Sequence, residues 1–242
     1  MEEHGKVSFR HHKILAHHIR TQIRKRRFVL LLVASLLVLF IPGFLNDSTF
    51  SELFFFLCLS FLFVQSMIVA TQSGTKNKFF RYITVALLIV VTWLEPAGIS
   101  IHLLKELRLV AMILFFGFVV FSLAKYLAGA TYVRANVLLA AVNIYLLMGI
   151  VGGYLAQLFF VIDANTFHFP AYINQPDFTD FVYYSFISMA TVGFGDIVPG
   201  NSQGQTLSYL IAISGQLYVA IIIAIIVGKF ANRPISDQKY KR

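Results

Sequence analysis

The sequence predicts an all-α membrane protein: six transmembrane helices, with a short re-entrant segment between the fifth and the sixth. Three observations predict it. Of the 242 residues, 58% are hydrophobic and only 13% charged, whereas soluble domains average roughly 45–50% apolar and about a quarter charged. A soluble globule of this length would lack polar surface, and the hydrophobic majority with 25 Phe excludes disorder. Six apolar runs come near the roughly 20 residues that cross a hydrocarbon core of about 30 Å. The basic residues gather in alternate connections, so the formal net charge of +9 reads as a membrane orientation signal and not as a nucleic-acid surface.

Residues 1–27 form a basic arm in which His11, His12, His17 and His18 interleave with Ile14, Leu15, Ile19 and Ile23 before Arg24-Lys25-Arg26-Arg27. This periodicity predicts an amphipathic helix on an anionic lipid surface. No two of these histidines stand at i,i+4, so they read as headgroup contacts, with cytoplasmic pH sensing the sharper alternative. Phe28–Leu45 is the first span, broken near its end by Pro42-Gly43 and expected to be an uncleaved anchor. Leu53–Thr71 is the second and is rich in Phe. Phe79–Leu94 and Leu109–Ala124 are short, and they need Arg81, Arg108 and Lys125 to snorkel to the headgroups. Ala135–Ile162 is the longest, and Leu207–Gly228 is the last. The expected divisions are the arm at 1–27, a four-helix domain at 28–130, a domain at 131–230 holding the last two spans, and a tail at 231–242.

Orientation follows from Lys and Arg. Eight lie in the N-terminal arm, three between residues 71 and 81, two at Lys125 and Arg134, and five from Lys229 onward, leaving only Lys105 and Arg108 opposite. The acids distribute inversely, with Asp47, Glu52, Glu95, Glu106, Asp163, Asp177, Asp180 and Asp196 on the sparsely basic side. Both termini are therefore expected in the cytoplasm of a multi-pass cell-membrane protein. Cys58 stands alone, so no intrachain disulfide is expected.

The informative stretch is Phe178–Gly200, FTDFVYYSFISMATVGFGDIVPG. Thr179–Ala190 reads as a helix too short to cross, with Asp177 or Thr179 as its N-cap. Thr191-Val192-Gly193-Phe194-Gly195-Asp196 follows, and irregular backbone at membrane depth requires burial in protein or a watery cavity.

These residues resemble the potassium-channel selectivity-filter signature, a close variant of TVGYG, set as in that family after an aromatic helix and before a Pro and an inner helix with a mid-span Gly. The resemblance implies a potassium-selective channel whose filter oxygens come from Thr191, Val192, Gly193 and Phe194, with Gly195 closing the turn and Asp196 at the pore mouth. Carbonyls aimed along one axis need alternating backbone handedness, which Gly193 and Gly195 can adopt cheaply. Val192 and Phe194 are expected to turn away from the axis and lie against the pore helix. Gly215 matches the inner-helix glycine that resembles a gating hinge, close helix packing being its equal alternative. Gln216, Val219, Ile223 and Val227 share a stripe that the resemblance turns toward the cavity. Two departures leave the filter less braced: Phe194 stands where many members have Tyr, and Ile187 where some have a carboxylate. One loop per chain implies a homotetramer, and the 28–130 region resembles a degenerate voltage-sensor domain.

Strong voltage gating is not expected. After Lys105 and Arg108, every third residue is uncharged (Ala111, Leu114, Gly117, Val120, Leu123), and spans two and three hold no interior acid. With about 14 residues after Gly228, gating by an appended ligand-binding domain is not expected within this chain. The alternatives are a poorly selective cation channel, against which Phe194 argues, and a potassium-transporter subunit, which would need four loops per chain. Gly149 and Gly153 are read as a packing motif, and Gln65, Asn143 and Gln157 as interhelical hydrogen-bonding groups. His168 reads as part of an aromatic-packed turn. The His, Cys and acidic residues form no acid–base pair, triad or metal cluster at usable spacing, so neither enzyme activity nor a cofactor beyond permeant K+ is expected. The expected partners are anionic lipid and further copies of the chain, and no nucleic acid.

Overall fold

The computed structural model describes residues 26–44, 49–70, 78–94 and 102–231. Almost all of them are helical because the chain is apolar over membrane-length stretches, where only internally hydrogen-bonded backbone is tolerated. The helices are, in chain order, α1 (Arg26–Phe44), α2 (Thr49–Ala70), α3 (Lys78–Trp93), α4 (His102–Gly129), α5 (Ala135–Ile162), the short α6 (Phe178–Met189) and α7 (Ser202–Ala231). Residues 1–25 and the tail beyond residue 231 lie outside the described residues, and with them the arm's histidines and expected lipid contacts.

One short span is as expected and another is not. Among the described residues five helices are long and apolar enough to cross a membrane, and α3 falls short of that length. Its 16 residues rise about 24 Å at roughly 1.5 Å each. In contrast, α4 is a 28-residue helix and not a short span, running through Lys105, Arg108 and Lys125. Hydropathy marks the apolar centre of a helix, but a charge does not stop the i→i−4 ladder.

The four N-terminal helices share one hydrophobic core with α5, built on Phe28, Leu31, Leu62, Phe63, Met112 and Phe116, all almost fully buried. Within it Phe63 stacks on Phe116 at 5.5 Å, and Phe116 stacks in turn on Tyr154 of α5 at 6.1 Å. Residues 130–134 join α4 to α5 in a tight antiparallel hairpin, so the four-helix unit lies against its own chain's α5. Asn143, fully buried in α5, donates from Nδ2 to Phe28 O at 3.0 Å and ties in the start of α1. That is the interhelical bond expected of it, whereas the Gln65 Oε1 is buried without a partner among the described residues.

A second core surrounds α6, with Phe167, Phe181, Tyr184, Met189, Ile197, Leu207 and Ile211. Phe181 is its centre, with the rings of Phe160, Phe169 and Phe167 at 5.4, 5.5 and 6.4 Å. Strand β1 (Phe167–His168) pairs antiparallel with β2 (Val198–Pro199), Phe167 opposite Pro199 and His168 opposite Val198. His168 itself is exposed on this ribbon, and only its neighbours Phe167 and Phe169 pack among aromatics. The ribbon is locked by Asp163, which ends α5. Its carboxylate accepts from Asn165 N at 2.9 Å and from Asn201 Nδ2 at 2.9 Å, while Asn201 Oδ1 caps α7 at Gly204 N.

Candidate functional site: the loop at residues 191–196

The loop is carried by α6, and α6 is placed by glycines of α5. A Cβ on Gly153 would stand 2.9 Å from Val182 Cα, one on Gly152 would collide with Ser185 Oγ, and one on Gly149 with the Phe186 ring. Without these side chains α6 lies flush against α5. The pair Gly149 and Gly153 is visible in sequence as a packing motif; Gly152 is not, because its partner lies 33 residues away. At the other end α6 starts with a capping box. Asp177 accepts from Thr179 N and Asp180 N, and Asp180 Oδ2 accepts from Asp177 N at 2.9 Å. Asp177, not Thr179, is the N-cap.

After Ala190 the chain turns back along a strand-like path of alternating handedness. Thr191, Gly193 and Gly195 have φ of 57°, 55° and 78°. The two glycines do so at little cost, whereas Thr191 is β-branched and is held there against a penalty of roughly 1–2 kcal/mol. Sequence reasoning assigned the left-handed positions to the glycines alone.

The hydrogen bonding of this loop is one-sided. Thr191 N donates to Ser188 O at 3.0 Å, and Val192 N and Gly193 N both reach Ile187 O, at 2.9 and 3.3 Å. The donors are thus turned back onto the end of α6. Within the chain and among the described residues, the carbonyl oxygens of Thr191, Val192, Gly193 and Phe194 accept no hydrogen bond. Four consecutive oxygens are left for something other than this chain's own donors. The Thr191 hydroxyl turns back to Ala190 O at 2.7 Å.

Val192 and Phe194 depart from expectation: they do not lie against their own chain's helix but are 53% and 71% exposed. The bracing expected to be missing behind Phe194 is supplied elsewhere. Tyr183 Oη donates to Asp196 Oδ2 at 2.5 Å, fastening the end of the loop to α6. The bond holds the Asp196 carboxyl below the usual carboxylate range, and it pushes the Tyr183 hydroxyl up to about 12. Desolvation raises Asp180. Behind them, the Tyr184 hydroxyl meets Ser208 Oγ, which donates to Gly204 O, joining α6 to α7.

Helix α7 touches the rest of the chain along one strip, through Gly204, Leu207, Ile211, Gly215, Tyr218 and Ile222. A Cβ at Gly215 would collide with the Met189 side chain and main chain at the foot of the loop, so this glycine serves close packing in the structure. Gln216 Nε2 approaches Met189 O at 3.5 Å, and Tyr218 Oη donates to Ala141 O of α5 at 2.6 Å. Val219, Ile223 and Val227 are exposed on the single chain. The structure therefore brings Gly215 and Gln216 to the loop and leaves the remainder of the predicted stripe uncovered. Between α4, α5 and α7 lies an apolar cavity of about 210 Å³, bordered by Gly117, Gly152, Met189 and Ile211. No group of His, Cys, Asp and Glu that could hold a metal ion occurs among the described residues.

A short helix and a loop with unpartnered carbonyls thus lie between two helices long and apolar enough to cross a membrane. Residues 144–232, from within α5 to just past α7, match the family model described as "Ion channel". A stretch of 55 residues is 38% identical to the potassium voltage-gated channel subfamily A member 2 of Xenopus laevis, and equally to those of Mus musculus and Oryctolagus cuniculus. That stretch is 23% of this chain and 11% of each relative, so the chain spans about a tenth of the length of the curated relatives it matches. No solved structure matches. Over this region the chain is similar to ion channels, and its five helices of membrane-crossing length and apolarity suit a multi-pass membrane protein.

Proposed function

We propose that the protein is a potassium-selective channel in which four copies surround one axis and conduct K+ passively through the 191–195 loops. The observation that carries this reading is the row of carbonyl oxygens from Thr191 to Phe194 without hydrogen-bond donors, on backbone that is left-handed at every second residue. Such oxygens can replace the hydration shell of a K+ ion when they line a closed ring. One chain supplies a quarter of that ring. The exposed Val192 and Phe194 and the uncovered faces of α7 then find their partners on neighbouring copies, which would replace the missing contacts. Asp196, fastened by Tyr183, stands at the mouth, where negative charge concentrates cations. Gln216, Val219, Ile223 and Val227 line the cavity below. With its two basic residues near one end, α4 supplies too little charge for steep voltage gating. Both termini face the cytoplasm, and the basic arm rests on anionic lipid.

The test is potassium flux from proteoliposomes with sodium as counter-ion and barium as blocker. We expect barium-sensitive K+ flux well above Na+ flux, abolished by Gly193→Ala, because a Cβ at φ 55° is strained. Na+ passing as readily as K+ would establish a poorly selective cation channel instead. Flux surviving Gly193→Ala would remove the filter assignment.

A further inference from the structure

We propose that Lys229 is a latch that joins the far end of α7 to the end of α4 and so sets the position of α7 where it is farthest from the loop; its effect on conduction rests on the channel reading above. The last carbonyls of any α-helix have no intrahelical donor, and those of α4 fall where residues 130–134 turn sharply into α5. Leu127 O accepts from Ala130 N at 3.3 Å, and Lys229 brings the further donors to this end. Its Nζ donates to Leu127 O at 2.9 Å, to Ala128 O at 3.3 Å and to Ala130 O. An ammonium has three N–H donors, and three carbonyl acceptors surround this one. The positive charge also sits at the negative end of the α4 dipole. The described acids nearest in sequence, Glu106 and Asp163, lie at the opposite ends of α4 and α5, so the carbonyls of α4 provide the counter-charge.

The place of Lys229 on α7 gives the latch a direction. At 3.6 residues per turn it continues the strip of Ile211, Gly215, Tyr218 and Ile222 that packs toward α5. The stripe of Gln216, Val219, Ile223 and Val227 lies roughly a third of a turn away. Among the described residues, Tyr218 makes the preceding side-chain hydrogen bond along α7, about 16 Å earlier at roughly 1.5 Å per residue. The distal turns of α7 are therefore tied to the rest of the chain by Lys229, and the tie draws them away from the stripe. The end of α4 in turn carries Tyr126, whose ring packs on Phe28 of α1 at 5.1 Å. A displacement of the four-helix unit at this end reaches α7 directly through these bonds, with no intervening linker helix. Releasing Lys229 lets the ends of α7 relax toward the axis and narrow the path.

The experiment compares wild type, Lys229→Met and Lys229→Arg as full-length protein in liposomes and planar bilayers. Spin labels are placed at Gly129→Cys and Gly228→Cys in a Cys58→Ser background, since nothing stands within 4 Å of a Cβ at either glycine. Labelled chains are diluted with unlabelled ones so that the intrachain distance is read. We expect Lys229→Met to lengthen and broaden that distance and to lower single-channel open probability at least tenfold, with unitary conductance and K+/Na+ selectivity unchanged. Lys229→Arg, which keeps charge and donors, should retain most of both. An unchanged distance in Lys229→Met overturns the proposal, as does a lengthened distance with unchanged open probability. Wild type that carries no current would instead refute the channel reading, and the label distance alone would then decide whether the tie exists.

Discussion

The sharpest mechanical prediction concerns Gly153. A methyl group there would stand 2.6 Å from Val182 Cγ2, 2.9 Å from Val182 Cα and 3.1 Å from Val182 N. The first contact can be relieved by rotating a side chain, but the other two are main chain of α6. Restoring ordinary carbon contacts of roughly 3.5–4.0 Å requires α6 to retreat by somewhat under an ångström. Overpacking of this kind costs about 1–3 kcal/mol, and the better helix propensity of Ala offsets about 1 kcal/mol of that. Gly153→Ala should therefore lose up to about 2 kcal/mol, a fall of up to roughly 8 °C in Tm at about 2–4 °C per kcal/mol for a chain of this size. Circular dichroism melts in detergent micelles measure it. Gly117→Ala is the control, because its Cβ would meet nothing within 4 Å and only the propensity gain applies. Gly149→Ala should fall between them, since the Phe186 ring can swing aside. A Gly153→Ala protein that melts no lower than Gly117→Ala would refute the reasoning that α5 is a bed cut to the main chain of α6.

Three further outcomes are expected. Tyr183→Phe removes the donor to Asp196, so the Asp196 carboxyl, held low chiefly by that hydroxyl, should titrate at higher pH in carbon-13 NMR, and conduction should become less sustained. The same bond sets a pH window. The depressed Asp196 contributes stability that is present above its unfolded value and lost as pH falls through the lower folded one, while Tyr183, raised to about 12, contributes below its ordinary value near 10 and loses that only as pH rises toward 12. Flux should thus be flat with external pH from about 5 to about 9, as buffer exchange on proteoliposomes would show. Asp163→Ala removes the acceptor that joins the end of α5 to Asn201 and should cost about 1–2 kcal/mol for a partly exposed charged hydrogen bond, read as a fall in Tm.

Much of the site was legible because its sequence is dictated by backbone needs. The alternation Gly193, Phe194, Gly195 declares left-handed positions whatever surrounds it, and the short aromatic stretch before it is too brief to cross. What escaped depends on contacts between distant residues. Tyr183 and Asp196 are 13 positions apart on different local structures, and nothing in either segment shows that the hydroxyl meets the carboxylate. Thr191 escaped because a β-branched residue is a poor guess for positive φ, and the ladder from α6 that holds it there is tertiary. Charges misled in another way. Arg108 and Lys125 looked like the ends of a span but lie within α4, and Lys229, counted only as an orientation marker, caps a neighbouring helix. Val192 and Phe194 were expected to be covered, and on one chain they are not.

The hairpin of α4 and α5 also fixes an order of manufacture. Residues 130–134 are so short that the two helices can close on each other once residue 162 is clear of the ribosome, before α6 has emerged to join them. The glycine bed on α5 can then be complete before the loop is free to fold. Domains form from the N-terminus during synthesis, so α6 arrives at a finished wall and has one groove that admits it. The foot of the loop gains its last support when Gly215 of α7 closes on Met189. The left-handed backbone of residues 191–195 is in this way framed last, by parts that are already in place.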